Sequence, residues 1–233
     1  MVKVLDKGFV ELIRSMPSVS EMELEKSIVD AARVSCGNDN LNPKMNAADK
    51  RLLLRLYRDE HTSPFEMVVF QFKVKAPLFV ARQWFRHRMS SYNEQSGRYS
   101  VLKDEFYVPD KVRMQHTTNK QMSSDQVADE ELTDKFNDYI GFALSQYERY
   151  EELCKLGVSR ELARIGLSVN IYTTFVWKID LHNLLRFLLL RMAPDAQYEI
   201  REYAFEIFNI ISPLCPNICD EFQKKYNFQR NDF

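Results

Sequence analysis

Polar and apolar positions along this chain switch between two periods, and the switches place most of its elements. Val2 and Val4, then Phe9 and Val10, stand among polar residues and predict a short strand within residues 1–12. Leu24, Ile28, Ala31, Ala32 and Ser35 recur at helical spacing, so residues 21–35 read as a helix whose start Glu21 and Glu23 favour. A polar stretch with Gly37, Pro43 and four asparagines follows over 36–46. Leu52, Leu53, Leu56 and Tyr57 then share one face of a second helix, 47–60. Residues 65–75 carry the strongest strand pattern: Phe70, Phe72 and Val74 alternate with Gln71, Lys73 and Lys75. Pro77 suits the first turn of a helix running to about Arg88, because the N–H it lacks would be unpaired there.

Past that helix the pattern weakens. Residues 99–102 and 106–108 read as two short strand-like pieces. Residues 113–130 are polar, poor in aliphatics and without a period, and read as a surface excursion. From 131 the spacing predicts helices over 131–155, 159–171, 181–192, 195–212 and 217–226. Gly157 suits the end of the first, Ser159 the start of the second, and Asp195 the start of 195–212. There is no repeat and no linker-like composition. The expected fold is therefore α+β: a single domain over residues 1–233, with a small mixed or antiparallel sheet packed on helices that come mostly from the second half.

Composition narrows the function. The chain has 233 residues, 45% apolar and 28% charged, which is ordinary globular usage. No apolar run approaches the ~20 residues of a spanning helix; Arg186 and Arg191 interrupt the late apolar stretch 187–190. A formal charge of −1 gives no bulk attraction to nucleic acid or to an anionic membrane, so any anion must be held by local clustering. Six glycines leave little room for a Gly-rich dinucleotide loop. Cys36, Cys154, Cys215 and Cys219 are too few and too irregular for a disulfide framework, and the first residues lack a long apolar leader. These features predict a cytoplasmic protein. His61, His87, His116 and His182 show no ligand spacing and Cys215-x3-Cys219 lacks a partner pair, so no metal site is expected.

The local cluster is in residues 82–98, where four arginines face one glutamate. Arg86 and Arg88 fall at the end of the predicted helix, where cations complement the dipole. Ser96, Gly97 and Arg98 then offer a hydroxyl, an unobstructed N–H and a planar fork, a suitable cradle for a phosphate monoester. A single arginine at a helix end is usually just solvated; three with a histidine and a Ser/Asn/Gly turn point to a ligand. Glu94 is either a neutralising partner or an acceptor for a substrate hydroxyl or N–H. From these residues alone, three readings stand: an enzyme acting on a phosphorylated ligand, a binding module gripping one with Arg86, Arg88 and Arg98, and a thiol-redox protein using Cys215 and Cys219.

The same residues resemble a known family. Arg86-His87-Arg88, seven residues, then Ser96 is similar to the R-H-R-x7-S signature of the flavin-dependent thymidylate synthases. Ser91, Asn93, Glu94, Arg98 and Tyr99 complete its longer form. Further blocks resemble the family in order: 31–35, 61–66, 75–77, 160–164, Leu190-Arg191 and Ala196-Gln197-Tyr198-Glu199-Ile200. The resemblance covers about residues 1–225, with 113–130 matching poorly.

It implies methylation of dUMP to dTMP with methylenetetrahydrofolate as carbon donor, FAD as hydride carrier and NADPH as its reductant. It also implies a homotetramer with active sites between subunits, and no enzyme cysteine as nucleophile. By position, Arg86, His87, Arg88, Ser63 and Glu94 would contact FAD. Gln83, Trp84, Phe85, Arg86, Glu94, Gln95, Ser96, Gly97, Arg98 and Arg164 would hold dUMP, and Arg191 would sit against the uracil as the catalytic group. His61 would line the nicotinamide or folate side; a helix-terminal histidine is the alternative. Where the family often carries Asn, Arg and Asn in a further FAD-contacting helix, this chain has Asp180, His182 and Arg186. With a histidine in that set, FAD affinity is expected to depend on pH near neutrality.

Overall fold

The computed structural model describes residues 1–18, 20, 22–37 and 44–230. The helix start assigned to Glu21, and Pro43 with the asparagines of 38–43, lie outside the described residues. Five strands form one antiparallel sheet in the order β1 (Val2–Val4), β2 (Gly8–Met16), β3 (Val69–Pro77), β7 (Tyr172–Asp180), β4 (Ser91–Glu94). Its centre is the long pairing of β3 with β7, where Phe70 faces Ile179, Phe72 faces Trp177 and Val74 faces Phe175. All six are buried, at roughly 1.5–3 kcal/mol each. Their alternation puts one face of the sheet on the core and leaves Lys73 and Lys178 exposed on the other.

Helices α1 (Leu24–Val34), α2 (Ala47–Arg58), α3 (Leu78–Trp84), α6 (Leu181–Arg191), α7 (Tyr198–Ile211) and α8 (Pro216–Tyr226) contribute to the core shared with that sheet. A 3₁₀ turn, Ser63–Met67, leads into β3. Helix α2 opens with a capping box between Asn46 and Asp49, which satisfies two otherwise unpaired N–H groups. Buried Glu25 reaches from α1 to the start of α8, accepting from the Ile218 N–H at 2.8 Å and the Asn217 amide at 2.6 Å. Helix α4 (Glu130–Lys155) is different: of its 26 residues only Tyr150 is buried.

Several expectations from the sequence are corrected. The N-terminal strand is two strands. The helix expected to reach Arg88 stops at Trp84, because the Tyr92 hydroxyl donates to the carbonyls of Trp84 (3.1 Å) and His87 (2.8 Å) and Ser90 Oγ donates to the latter. Arg86 and Arg88 therefore lie in the turn beyond the helix, and the chain re-enters the sheet as β4 where only a polar turn was expected. Of the pieces at 99–102 and 106–108, a single bridge between Phe106 and Ile171 forms. The polar excursion contains a two-stranded ribbon, β5 (Arg113–Gln115) with β6 (Ser123–Val127). The helix expected over 159–171 is only α5 (Arg160–Ala163) and a 3₁₀ turn at Arg164–Gly166. No strand was expected where β7 forms. Asp195 does not open α7, which begins at Tyr198 behind Gln197. Ser159 stands before α5 without a side-chain capping bond, whereas Gly157 takes the positive φ (90°) expected after α4.

Candidate active site

Two segments far apart in sequence meet beyond the end of α3. Arg191, on the last turn of α6, donates from Nε to His87 Nε2 at 3.0 Å and from Nη2 to the Gln83 carbonyl at 3.4 Å. This bond requires the imidazole to be an acceptor, hence neutral. Burial, with the charges of Arg191 and Arg186 beside it, pushes His87 down to about 4. The His87 ring also packs on Phe187, centroids 4.8 Å apart. Burial draws Arg191 below its usual value, though a guanidinium stays charged at any working pH. Arg191 is half-buried, unlike Arg186 and the adjacent Leu190, which are exposed.

Trp84 does not face this site. It is fully buried and packs against Phe175, Trp177, Phe187 and Tyr203, with centroids 5.0–5.6 Å apart. Its neighbour Phe85 is half-buried, tilted against the Tyr92 ring and edge-on to Phe175. The sequence position of Trp84 inside the motif reflects core packing.

Beyond β4 the chain turns through the second cluster. The Glu94 carboxylate accepts from Thr173 Oγ1 at 2.7 Å, and the Gln95 N–H pairs with the Thr174 carbonyl at 2.8 Å, so β7 holds this end of the motif. The Arg98 N–H donates to Ser96 Oγ at 3.2 Å. Gly97 is buried against Arg164: a Cβ there would come within 3.2 Å of Arg164 Cδ and 3.3 Å of its Nη1. The Ser96–Arg98 turn and Arg164, distant in sequence, thus form one basic corner. Arg98 pairs with Glu161 at 3.2 Å, whereas Arg86, Arg88 and Arg164 are exposed, with no carboxylate within salt-bridge distance among the described residues.

The third cluster is a cavity of about 420 Å³. His61 and Thr62 stand on one wall and His182, Arg186 and Leu189 of α6 on another, with Tyr57, Phe65 and Tyr226 among the aromatic residues. Ser63 opens the 3₁₀ turn beside it. Asp180 acts locally, since its Oδ1 accepts from the Asn183 N–H at 2.9 Å and caps α6. Arg186 does not pair with it.

The structure adds a polar network to which the sequence pattern assigns no role. Gln83 Nε2 donates to Gln197 Oε1; Gln197 Nε2 donates to Glu199 Oε2 at 2.8 Å. Glu199 Oε1 accepts from the Tyr107 hydroxyl at 3.1 Å and from Arg113. Only the block 196–200 signalled its presence, since these partners come from α3, the 105–115 segment and α7.

Chemically, these residues offer an oriented guanidinium beside a neutral imidazole, a basic turn whose buried glycine lets Arg164 pack close to the backbone, and a cavity with aromatic and cationic walls. Unpaired guanidiniums suit a pyrophosphate, and a cavity of this size and lining suits a ring system, so the residues present fit a flavin dinucleotide. Cys215 and Cys219 are buried free thiols; burial raises Cys215 well above its usual value and Cys219 to about 12. No helix is long and apolar enough to cross a membrane, and no group of three or more candidate metal ligands occurs, among the described residues.

Comparison with known proteins bears on the family and the fold. A family model described as "Thymidylate synthase complementing protein" matches residues 18–217. The flavin-dependent thymidylate synthase of Thermus thermophilus is 51% identical over 215 residues, covering 92% of this chain and 75% of that one. Those of Dictyostelium discoideum (48% over 225 residues; 95% and 73% covered) and Thermosipho africanus (45% over 223 residues; 95% and 93% covered) are similar. The crystal structure of a UMP/dUMP methylase, PolB from Streptomyces cacaoi, bound with 5-Br UMP superposes with a TM-score of 0.81 at 26% identity, covering 98% of this chain and 99% of that one. With its signature, its sheet and its relatives all in agreement, this chain belongs to the flavin-dependent thymidylate synthases.

Proposed function

We propose that this enzyme methylates dUMP to dTMP, with methylenetetrahydrofolate as carbon donor and NADPH as reductant, and without a cysteine nucleophile. The observation that carries the reading is the fork of Arg191, held at the end of α6 by His87 Nε2 and the Gln83 carbonyl. Ser96, Gly97, Arg98 and Arg164 bind the phosphate of dUMP, and Glu94, Gln95 and Gln83 orient the nucleoside, with Phe85 packed behind them. Arg86, His87, Arg88 and Ser63, with Asp180, His182 and Arg186 of α6, hold FAD, and Glu94 borders both ligands.

Bound FAD supplies the hydride that completes the methyl group. The protein's part is electrostatic. Arg191 sits against the uracil and stabilises its N3-deprotonated form, which makes C5 a better nucleophile. The neutral His87 leaves Arg191 as the cation facing the ring and fixes its rotation. Cysteine-dependent chemistry needs a thiolate; the buried thiols of Cys215 and Cys219 are held protonated, which favours a route without sulfur. His61, on the opposite cavity wall, borders the folate or nicotinamide side. A homotetramer with shared sites is supported by α4, whose Tyr139 and Phe142 are 69% and 70% exposed.

Purified protein is expected to be yellow, to bleach with NADPH under anaerobic conditions, and to release tritium from C5-labelled dUMP only when folate donor and reductant are both present. A colourless preparation that binds phosphorylated ligands would indicate a binding module. Loss of release in a Cys→Ala variant that still binds FAD would restore a covalent mechanism.

A further inference from the structure

We propose that Glu199 is a positioning residue: through Gln197 it sets the amide orientation of Gln83, so that the side-chain oxygen of Gln83, and not its NH2, is offered to the nucleotide. The inference rests on the reading of Gln83 as a dUMP contact.

A glutamine amide presents either a donor or an acceptor at nearly the same place, so its orientation must be fixed from outside. Here the source is a carboxylate. Glu199 is 3% exposed, and an ionised carboxylate only accepts. Three donors converge on it: the Tyr107 hydroxyl, an Arg113 nitrogen and Gln197 Nε2. Tyr107 is a dependable donor, because burial and the adjacent carboxylate push its phenol above the usual range. Arg113 is held from its other face by the Tyr198 ring, 4.4 Å away.

With its NH2 committed to Glu199, Gln197 has only its carbonyl to turn towards Gln83. Gln83 must answer with NH2, as the geometry shows. Its Oε1 is thereby left as the acceptor, and its backbone carbonyl is already taken by Arg191. The order of donors and acceptors is thus set by a buried charge two links from the ligand. Replacing that charge by an amide would reverse it. In Glu199→Gln, the new oxygen is drawn to Arg113 and Tyr107, and the new NH2 faces Gln197. Gln197 then turns its carbonyl inward and its NH2 to Gln83, which must present NH2 to the nucleotide.

The reversal predicts its own repair. Gln83→Glu in the Glu199→Gln background accepts from Gln197 with one oxygen and presents the other as an acceptor. In the wild-type background the same change sets a carboxylate against the Gln197 carbonyl.

The test is calorimetric titration of FAD-loaded enzyme with dUMP, beside a melting curve for each variant. Glu199→Gln is expected to weaken dUMP binding at least tenfold, and the double variant to return within about threefold of wild type. Gln83→Glu alone should be weaker than the double variant. Gln197→Met, which cuts the link but leaves the Glu199–Arg113 pair in place, is expected to weaken dUMP several-fold and decides the matter should Glu199→Gln not fold. Unchanged affinity in Glu199→Gln or Gln197→Met, or a double variant no better than Glu199→Gln, overturns the relay. Wild-type enzyme that takes up FAD but does not bind dUMP overturns the functional reading itself.

Discussion

His87 shows how one residue couples site chemistry to stability. Its folded-state pKa of about 4 lies below the usual value of 6.5. Between the two, the unfolded chain takes up a proton that the folded chain refuses, so acidification drains stability over that window. The full contribution is present above about pH 6.5 and lost below about pH 4, amounting to about 2 kcal/mol once the ring's partial exposure is allowed for. His87→Gln keeps an acceptor for Arg191 Nε and removes the titration. Denaturant unfolding at pH 7 and pH 4.5 should show a smaller acid loss in that variant than in wild type.

Arg191 is expected to behave as a geometric group as much as a charge. Arg191→Ala should lower kcat by about 10²–10³, the size typical of removing one stabilising donor. Arg191→Lys should recover little, because an ammonium cannot reproduce the pair of bonds to His87 and Gln83; kcat close to wild type in the lysine variant would remove Arg191 from the mechanism. Most of the proposed site residues were legible in the sequence, because guanidiniums, a serine and a glycine at set spacings leave a readable string over 82–98. Trp84 shows the limit. It lies within the string for packing reasons, and nothing at its position separates a ring that stacks on a ligand from one that fills the core.

At the scale of elements, Asp180 and Gly97 give opposite lessons. Asp180 caps α6, and Asn is an equally good cap, so Asp180→Asn should leave stability nearly unchanged while Asp180→Ala costs about 1 kcal/mol. Thermal melts of the two variants check this; equal losses would mean that the cap bond contributes nothing. Gly97→Ala sets a Cβ 3.2–3.3 Å from Arg164 and Leu102, so these side chains must give way. We expect a several-fold higher KM for dUMP with a stability cost of about 1 kcal/mol, because Arg164 is displaced while the backbone has room to stay. Steady-state kinetics beside a melt separates the two effects.

Strand β7 was the least legible of the long elements, although Phe175, Trp177 and Ile179 alternate with Val176, Lys178 and Asp180. Flanking helical patterns obscured a two-residue period that spans only nine positions. Strand β4 left even less signal: it is four residues long, three of them motif positions, and it exists because β7 offers an edge to pair with. The early stop of α3 has the same origin, since Tyr92 on β4 supplies the hydroxyl that closes it.

For the whole molecule, α4 carries the main expectation. A helix of 26 residues with one buried side chain and exposed Tyr139 and Phe142 needs cover. Light scattering of the FAD-loaded enzyme is expected to give four times the chain mass, and Tyr139→Lys with Phe142→Lys to lower it; a wild-type monomer would end the shared-site reading.

The sequence by itself determined the class of fold, most helices of the second half, the central strand β3 and the arginine-rich string over 82–98, because each follows from local spacing and residue chemistry. It also determined the family, through a motif too specific to arise from packing. Only the tertiary structure decided the partner of Arg191, the meeting of Gly97 with Arg164, the burial of Trp84 and the route from Glu199 to Gln83. Those relations join residues far apart along the chain, and no local pattern records which side chain a long-range pairing will bring within reach.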